Sequence, residues 1–418
     1  MTMPVSVAHV ITKLELGGAQ QNTLFTVSHL GTARFRPALI TGEPGILDEE
    51  AKALSGVAYY QVPSLVRQIS PLTDLRALTA LTSLLSRLKP TIVHTHSSKA
   101  GILGRWAARW ARVPIIIHSI HGFGFTRDQH SVLQRTLIAL ERATARFTTR
   151  FFAVSKANRR LGIELGLFSE ERCMVIRSGV DLAALRQTRV DLAAKKRELG
   201  LHQEWPVIGM IAPFKPQKAP LDFVRVAALV HKAKPNTQFL LVGDGELRGA
   251  IEAEVRWLGL SDTFFLTGWR RDIAEVMRCF DVFVLTSLWE GLPRVYLEAL
   301  ASGVPVVGTK VDGAAEVIQE GVNGYLTEPG DVRSLAERVL SLLADPNAAT
   351  QMGRNGQSLP EEFDIYEMVR QQEREYEHLV AELRRKSPLR EASGPGTPIP
   401  DSRQATVADK SSSSVGRS

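Results

Sequence analysis

Cysteine is nearly absent from the 418-residue chain: Cys173 and Cys279 stand far apart in apolar surroundings. That excludes a disulfide framework or a cysteine-built metal site, fits a reducing compartment and leaves both thiols as core filler. No Asp-x-Asp occurs anywhere, so a paired-aspartate metal clamp is not indicated. Long apolar runs are missing too; stretches such as Ile115–Ile117 are far too short to span a bilayer. The N-terminus lacks a basic leader region and runs straight into a strand-like stretch, which argues against a secretory signal. A soluble, cytoplasmic protein is the expectation. Acidic residues are scarce in one half only. Residues 1–185 hold 12 Asp/Glu against 22 Lys/Arg, a surplus of ten positive charges, whereas the rest holds 32 against 29. Such a bias suits an anionic membrane surface or an anionic acceptor, or is no more than solvated surface.

What is present is the composition of a soluble globular enzyme, 44% hydrophobic and 23% charged. The length exceeds one ordinary hydrophobic core, so two domains are expected. Short β-branched runs alternate with longer amphipathic stretches, the signature of parallel sheets covered by helices on both faces. Strands are predicted near Val5–Ile11, Pro37–Ile40, Thr91–Thr95, Ile115–Ser119, Phe151–Val154 and Met174–Arg177. The pattern breaks around 185–205 and restarts with Val207–Ile211, Gln238–Val242, Thr263–Leu266, Asp281–Leu285 and Pro305–Gly308. The expected division is residues 1–190, residues 191–363, a closing helix over 364–385 and a disordered tail over 386–418, whose Ser, Pro and Gly cannot bury enough apolar surface to order themselves.

The most informative stretch runs from Ser287 to Pro305 and contains Glu290-Gly291-Leu292-Pro293 and Glu298. Glu290 and Gly291 are placed at a turn and Glu298 about two turns inside the following helix, so turn and helix address different parts of one ligand. Amides at a helix start donate hydrogen bonds to phosphate, and carboxylates accept them from sugar hydroxyls. Taken alone, two glutamates on a helix are more often solvated.

Glu290-x7-Glu298, set in Glu-Gly-Leu-Pro and followed by Ala-Ser-Gly-Val-Pro-Val-Val, resembles the signature of family 4 of the retaining glycosyltransferases. Gly17-Gly18-Ala19-Gln20, Val242-Gly243-Asp244-Gly245 and Arg177-Ser178-Gly179-Val180-Asp181 resemble three further turns of that family, in order and spacing, over nearly the whole chain up to the tail. The resemblance implies the GT-B fold, an α/β architecture of two Rossmann-like doubly wound domains facing across a cleft. It gives Glu298 the ribose hydroxyls and Glu290 the hydroxyls of the transferred sugar. The amides of Gly291 and Leu292 approach that sugar or its phosphate, and Gly17, Gly18 and Gly243 belong to the donor-binding turns. Glycines at 17 and 18 let amides approach the diphosphate where a side chain would block them. Lys218 matches the family's phosphate-binding lysine. Pro213 departs from the pattern by replacing the family's arginine, and Lys215 is expected to supply the missing charge, without an arginine's bidentate fork. His121-Gly122 falls where the family has a histidine that contacts the donor sugar or the reacting centre. Catalytic roles are thus expected for His121, Glu290 and Lys218, with no metal and with the nucleotide-sugar as substrate.

His94-Thr-His96 has metal-like spacing but no carboxylate or cysteine nearby, and reads as a buried polar pair. The run from His94 to Gly101 is similar to that of bacterial members which build exopolysaccharide, capsule or lipopolysaccharide. Two helices carry basic residues at helical spacing, Arg105, Trp106, Arg109, Trp110 and Arg112 in one and Arg135, Arg142, Arg146 and Arg150 in the other. They offer cations and aromatics to lipid head groups, or are solvated faces with the tryptophans turned inward. The reading is a hexosyltransferase moving a hexose or N-acetylhexosamine from a UDP- or GDP-sugar to a glycan or lipid-linked acceptor, with peripheral contact to an anionic membrane and no nucleic-acid partner. A sugar-nucleotide epimerase and a non-catalytic sugar- or polyanion-binding protein are the alternatives.

Overall fold

Runs such as Ile115–Ile120 and Gln238–Val242 are buried along their entire length, because helices cover both faces of the sheets they belong to. The computed structural model describes residues 3–124 and 131–386. Its first sheet comprises β1 (Val5–Val10), β2 (Phe35–Thr41), β3 (Ala58–Gln61), β4 (Ile92–His96), β5 (Ile115–Ile120), β6 (Arg150–Ala153) and β7 (Cys173–Val175), in the order β3-β2-β1-β4-β5-β6-β7. The second comprises β8 (Val207–Ile211), β9 (Gln238–Val242), β10 (Phe264–Gly268), β11 (Val282–Leu285), β12 (Val306–Thr309) and β13 (Gly324–Thr327), in the order β10-β9-β8-β11-β12-β13. The second sheet is parallel throughout, and so are the pairings from β3 to β5 in the first. In each sheet the order reverses once, between β1 and β4 and between β8 and β11. Doubly wound sheets bind ligands outside the carboxyl ends of the strands at such a point.

By compactness the described residues divide into one unit of 3–119, 136–151 and 373–386 and another of 120–124, 131–135 and 152–372. The second unit has one continuous core in which Phe223, Phe239, Phe283 and Tyr296 are fully buried. The first packs clusters on the two sides of its sheet, around Leu81 and Val93 and around Ile11 and Leu39. Both cysteines are buried thiols, and burial pushes the Cys279 thiol up to about 11.

Among the described residues, eleven of the thirteen strands lie where the sequence places them. The two it misses, β3 and β13, are edge strands and only partly buried, so they lack the apolar run that marks a strand covered on both faces. The closing helix runs Ile365–Lys386. Apart from Lys386, the segment expected to be a tail lies outside the described residues. Among those residues no helix is long and apolar enough to cross a membrane.

Candidate active site

The switch point of the second sheet is built from two loops, residues 212–219 after β8 and residues 286–293 after β11. They are laced together. Thr286 Oγ1 donates to the carbonyls of Lys218 and Ala219, both at 2.9 Å, the Leu288 amide donates to the Gln217 carbonyl at 2.8 Å, and Gln217 Nε2 donates to the Trp289 carbonyl at 2.8 Å. This lacing brings Lys218 to Glu290, 72 residues away, in a direct ion pair. Ser287 Oγ donates to the same carboxylate oxygen at 2.7 Å, and the Ser287 carbonyl is itself held by Thr309 Oγ1 at 2.5 Å. Glu290 is therefore nearly buried, with a cation and a hydroxyl fixing one oxygen. Ala219, which ends the lysine loop, has φ +42° and ψ 52°, a left-handed conformation that side chains disfavour.

His121 joins this group through the backbone. A Cβ placed on Gly291 would lie 2.3 Å from the His121 carbonyl oxygen and 2.8 Å from the Gly122 amide nitrogen. Only glycine admits that approach. Gly122 itself has φ +121°, and its own Cβ position is 3.3 Å from the Gly291 amide nitrogen. The His121 side chain is half-buried with its Nδ1 shielded from solvent, and desolvation lowers its pKa to about 4, so near neutral pH it is an uncharged hydrogen-bonding group. His121 and Gly122 belong to the same compact unit as Glu290.

The other expected donor residues are arranged less directly. Lys215 precedes the short 3₁₀ turn Pro216–Lys218 and is half-buried, its amide donating to the Pro213 carbonyl at 2.8 Å. Glu298 lies inside the helix Arg294–Ala301 and faces Arg294 at 3.4 Å. Burial lowers the pKa of the Arg294 guanidinium, and the Glu298 charge acts against that shift. The Leu292 side chain is buried in the core. Gly243 has φ +137°, and a Cβ there would meet the Ala212 carbonyl oxygen at 2.0 Å. That glycine is required by the chain's own close approach to the β8 loop.

In the first unit, Gly17 precedes and Gly18 begins the helix Gly18–His29. Gly17 is extended at φ −141°, and a Cβ would meet only the flexible Gln20 amide oxygen, at 2.6 Å. The loops after β1 and β4 are joined at this sheet's switch point by Thr12 Oγ1 and Ser97 Oγ, 2.9 Å apart. Below them His94 and His96 are both buried, as a polar pair would be, together with a third ring the sequence did not disclose, His9. His9 Nδ1 lies 3.0 Å from His96 Nε2. The nitrogens of His94 meet Tyr376 Oη at 2.5 Å and Ser119 Oγ at 2.8 Å. The three rings bring nitrogens within 4.8 Å of one another, a spacing that could hold a metal ion. Burial lowers the His9 pKa to about 3.

Two residues of the expected basic helices are corrections. Arg150 begins strand β6, beyond the end of the helix Ser131–Ala145. Arg105 does not present a cation to the outside; it is fully buried, and its Nη2 donates to Glu141 Oε2 at 2.6 Å. Helical spacing alone cannot say which residue of a basic stripe turns inward. Ser287 and Gln217, which hold Glu290 and its loop, carry no sequence signal beyond lying next to the glutamate and the lysine.

Two family models match the chain, "Glycosyltransferase Family 4" over residues 16–184 and "Glycosyl transferases group 1" over residues 192–359. The chain is 33% identical over 344 residues to UDP-Gal:alpha-D-GlcNAc-diphosphoundecaprenol alpha-1,3-galactosyltransferase of Escherichia coli, covering 82% of this chain and 88% of that protein. It is 26% identical to N,N'-diacetylbacillosaminyl-diphospho-undecaprenol alpha-1,3-N-acetylgalactosaminyltransferase of Campylobacter jejuni, over 69% of this chain and 77% of that one. Among solved structures it is similar to HepE of Anabaena in complex with UDP and glucose, with a TM-score of 0.77 at 22% identity over 90% of this chain and all of that one. It is also similar to WaaG, a glycosyltransferase involved in lipopolysaccharide biosynthesis, with a TM-score of 0.73 at 16% identity over 88% and 98% of the two chains.

Proposed function

This chain belongs to glycosyltransferase family 4 and has the GT-B fold, and on that premise we propose that it is a retaining hexosyltransferase using a UDP-sugar. The observation that carries the reading is the convergence of Lys218, Glu290 and the His121–Gly291 contact at the switch point of the second sheet. Its glycosyltransferase relatives act in bacterial polysaccharide and lipid-linked sugar synthesis. The Escherichia coli relative uses UDP-galactose and the Anabaena structure holds UDP, which favours uridine over guanosine donors. We assign the acceptor to the lipid-linked diphosphate-sugar class that the two relatives' names describe, and the enzyme to the cytoplasmic side of the cell membrane, in peripheral contact with anionic lipid.

In this mechanism Glu290 accepts hydrogen bonds from hydroxyls of the transferred sugar, and the Gly291 and Leu292 amides lie along it. Neutral His121 bonds the sugar without adding charge. Lys218 and Lys215, with the loop amides, meet the charge that develops on the departing diphosphate, in place of a metal. Glu298 holds the ribose, and the amides around Gly17 and Gly18 receive the diphosphate. The acceptor oxygen forms its bond to the anomeric carbon on the face from which the diphosphate leaves. The carbon–phosphate oxygen bond breaks, and the hydroxyl proton passes to a phosphate oxygen, so no protein nucleophile is needed.

The test is product analysis. The purified chain is incubated with each of UDP-galactose, UDP-N-acetylgalactosamine, UDP-glucose and GDP-mannose and a lipid-linked diphosphate-sugar acceptor, and the anomeric configuration of the product is read by NMR. An α-linked product and acceptor-dependent UDP release are expected. A β-linked product ends the retaining assignment, and conversion of the donor sugar without acceptor points to an epimerase.

A further inference from the structure

The structure pairs two of the basic residues, Arg105 on its helix and Arg150 at the start of β6, with carboxylates and leaves others around one groove. Arg105 is spent on Glu141, and Arg150 Nε lies 2.6 Å from Glu375. Arg109, Arg112 and Arg146 are exposed, and none of them has a carboxylate partner among the described residues. All three line a groove of about 560 Å³ with Trp106, Trp110, Ala143 and Phe147, within the first compact unit.

The aromatic part of the groove is fixed at one end and open at the other. Trp106 Nε1 donates to Thr144 Oγ1 at 3.1 Å, and its ring packs edge-on against Phe147, with centroids 4.8 Å apart. Trp110 meets Trp106 edge-on at 6.0 Å and remains 51% exposed. Half-exposed indoles suit the level of lipid head groups, where one edge is apolar and the other wet. Three guanidiniums with no internal counter-charge repel one another until an anion arrives, and each can fork onto phosphate oxygens. This half of the sequence also carries the surplus of ten positive charges, which favours an anionic surface over a neutral one.

We propose that the groove of Trp106, Arg109, Trp110, Arg112, Arg146 and Phe147 docks the chain onto an anionic bilayer by taking a phospholipid phosphate between the arginines and the aromatic floor. The inference rests on the membrane contact proposed above and deepens it by naming the surface.

The experiment is co-sedimentation of the full chain with phosphatidylglycerol–phosphatidylcholine vesicles and with pure phosphatidylcholine vesicles, at low and high salt. Wild type is compared with the double variant Arg109→Glu/Arg146→Glu, with Trp110→Ser, and with the charge-matched control Arg76→Glu/Arg87→Glu, whose arginines are exposed outside the groove. The groove assignment predicts salt-sensitive binding to the anionic vesicles that falls on the order of tenfold or more in the groove double variant, falls in Trp110→Ser, and changes by no more than about twofold in the control. Thermal unfolding and turnover of a detergent-dispersed acceptor should match wild type in every variant. Wild-type binding that survives both groove variants would overturn the groove while leaving the membrane contact standing. Wild type that ignores anionic vesicles overturns both, and complete displacement by millimolar inorganic phosphate marks a soluble-anion site instead.

Discussion

Gly291 lies so close to His121 that a methyl group on it would stand 2.3 Å from the histidine's carbonyl oxygen. The contact fixes the distance between the turn that carries Glu290 and the segment that carries a neutral, half-buried imidazole. The sequence marks both residues but not their meeting, which depends on residues 170 positions apart in the chain.

Three glycines of the candidate site should respond differently to alanine, because each is glycine for a different reason. Gly291→Ala must push residues 121–122 away, so both activity and stability fall. Gly243→Ala adds a strained φ of +137° to a clash with the Ala212 carbonyl and should cost about 1–3 kcal/mol from the backbone strain alone. Gly17→Ala meets only the end of a flexible glutamine in an extended backbone, so its melting temperature should stay within about a degree or two of wild type while kcat/KM drops. Equal loss of stability in all three variants would remove the distinction between packing glycines and a ligand-facing one.

The Lys218–Glu290–Ser287 group should behave as a coupled unit. Lys218→Ala removes a cation assigned to the leaving diphosphate and should lower kcat by on the order of 100-fold. Glu290→Gln keeps the shape and loses the charge. A double-mutant cycle in kcat/KM between the two should give clear non-additivity, since each partner's truncation leaves the other's charge nearly buried. Ser287→Ala, which leaves the lysine in place, should raise KM more than it lowers kcat. Additive losses across the cycle would mean that the pair seen in the structure does not survive in the working enzyme.

Acid should destabilise the chain in a window set by its buried histidines. Burial lowers His9 to about 3 and His121 to about 4, against about 6.5 in an unfolded chain. Between pH 6.5 and 4 the unfolded chain takes up protons that the folded chain refuses, so stability falls as the pH falls. Two units of this difference amount to about 3 kcal/mol for each histidine. The Glu316 carboxyl is raised by burial, but the Ala157 and Lys156 amides and the Arg177 guanidinium bring it below its ordinary value, so it adds acid sensitivity at lower pH still, as it protonates. Urea unfolding at a series of pH values should show His9→Gln with a flatter decline than wild type. An identical slope would mean that His9 is protonated in the folded chain.

The fold was legible where strands are covered on both faces. Val207–Ile211 and Gln238–Val242 were read with their boundaries intact, because strands covered on both faces of a parallel sheet are near-continuous apolar runs, broken here only by Gln238 at one strand's start. Ala58–Gln61 and Gly324–Thr327 escaped because edge strands need no such run. At the candidate site the family's residues were legible singly and their partners were not. Lys218 and Glu290 are 72 residues apart, and His9 and His96 are 87 apart, and no local pattern encodes pairings between loops that only the sheet order brings together. Arg105 shows the converse limit, a member of a regular basic stripe whose neighbours on the helix turn it inward against Glu141.

Ala219 gives a prediction that rests on backbone conformation alone. An alanine there holds φ +42° directly before the helix Pro220–Ala233. A left-handed alanine costs about 1–2 kcal/mol relative to a relaxed one, while glycine's added chain entropy returns roughly 0.5–1 kcal/mol of that to the unfolded state. Ala219→Gly should therefore stabilise the second unit by up to about 1 kcal/mol, or a rise of roughly 2–4 °C in its melting transition. Because the Ala219 carbonyl accepts from Thr286 Oγ1 whatever the side chain, the lacing to the Glu290 loop should persist and kcat/KM should stay within about twofold of wild type. A melting point lower than wild type would show that the alanine is not strained, and a large loss of activity at unchanged stability would show that the methyl group itself helps to place Lys218.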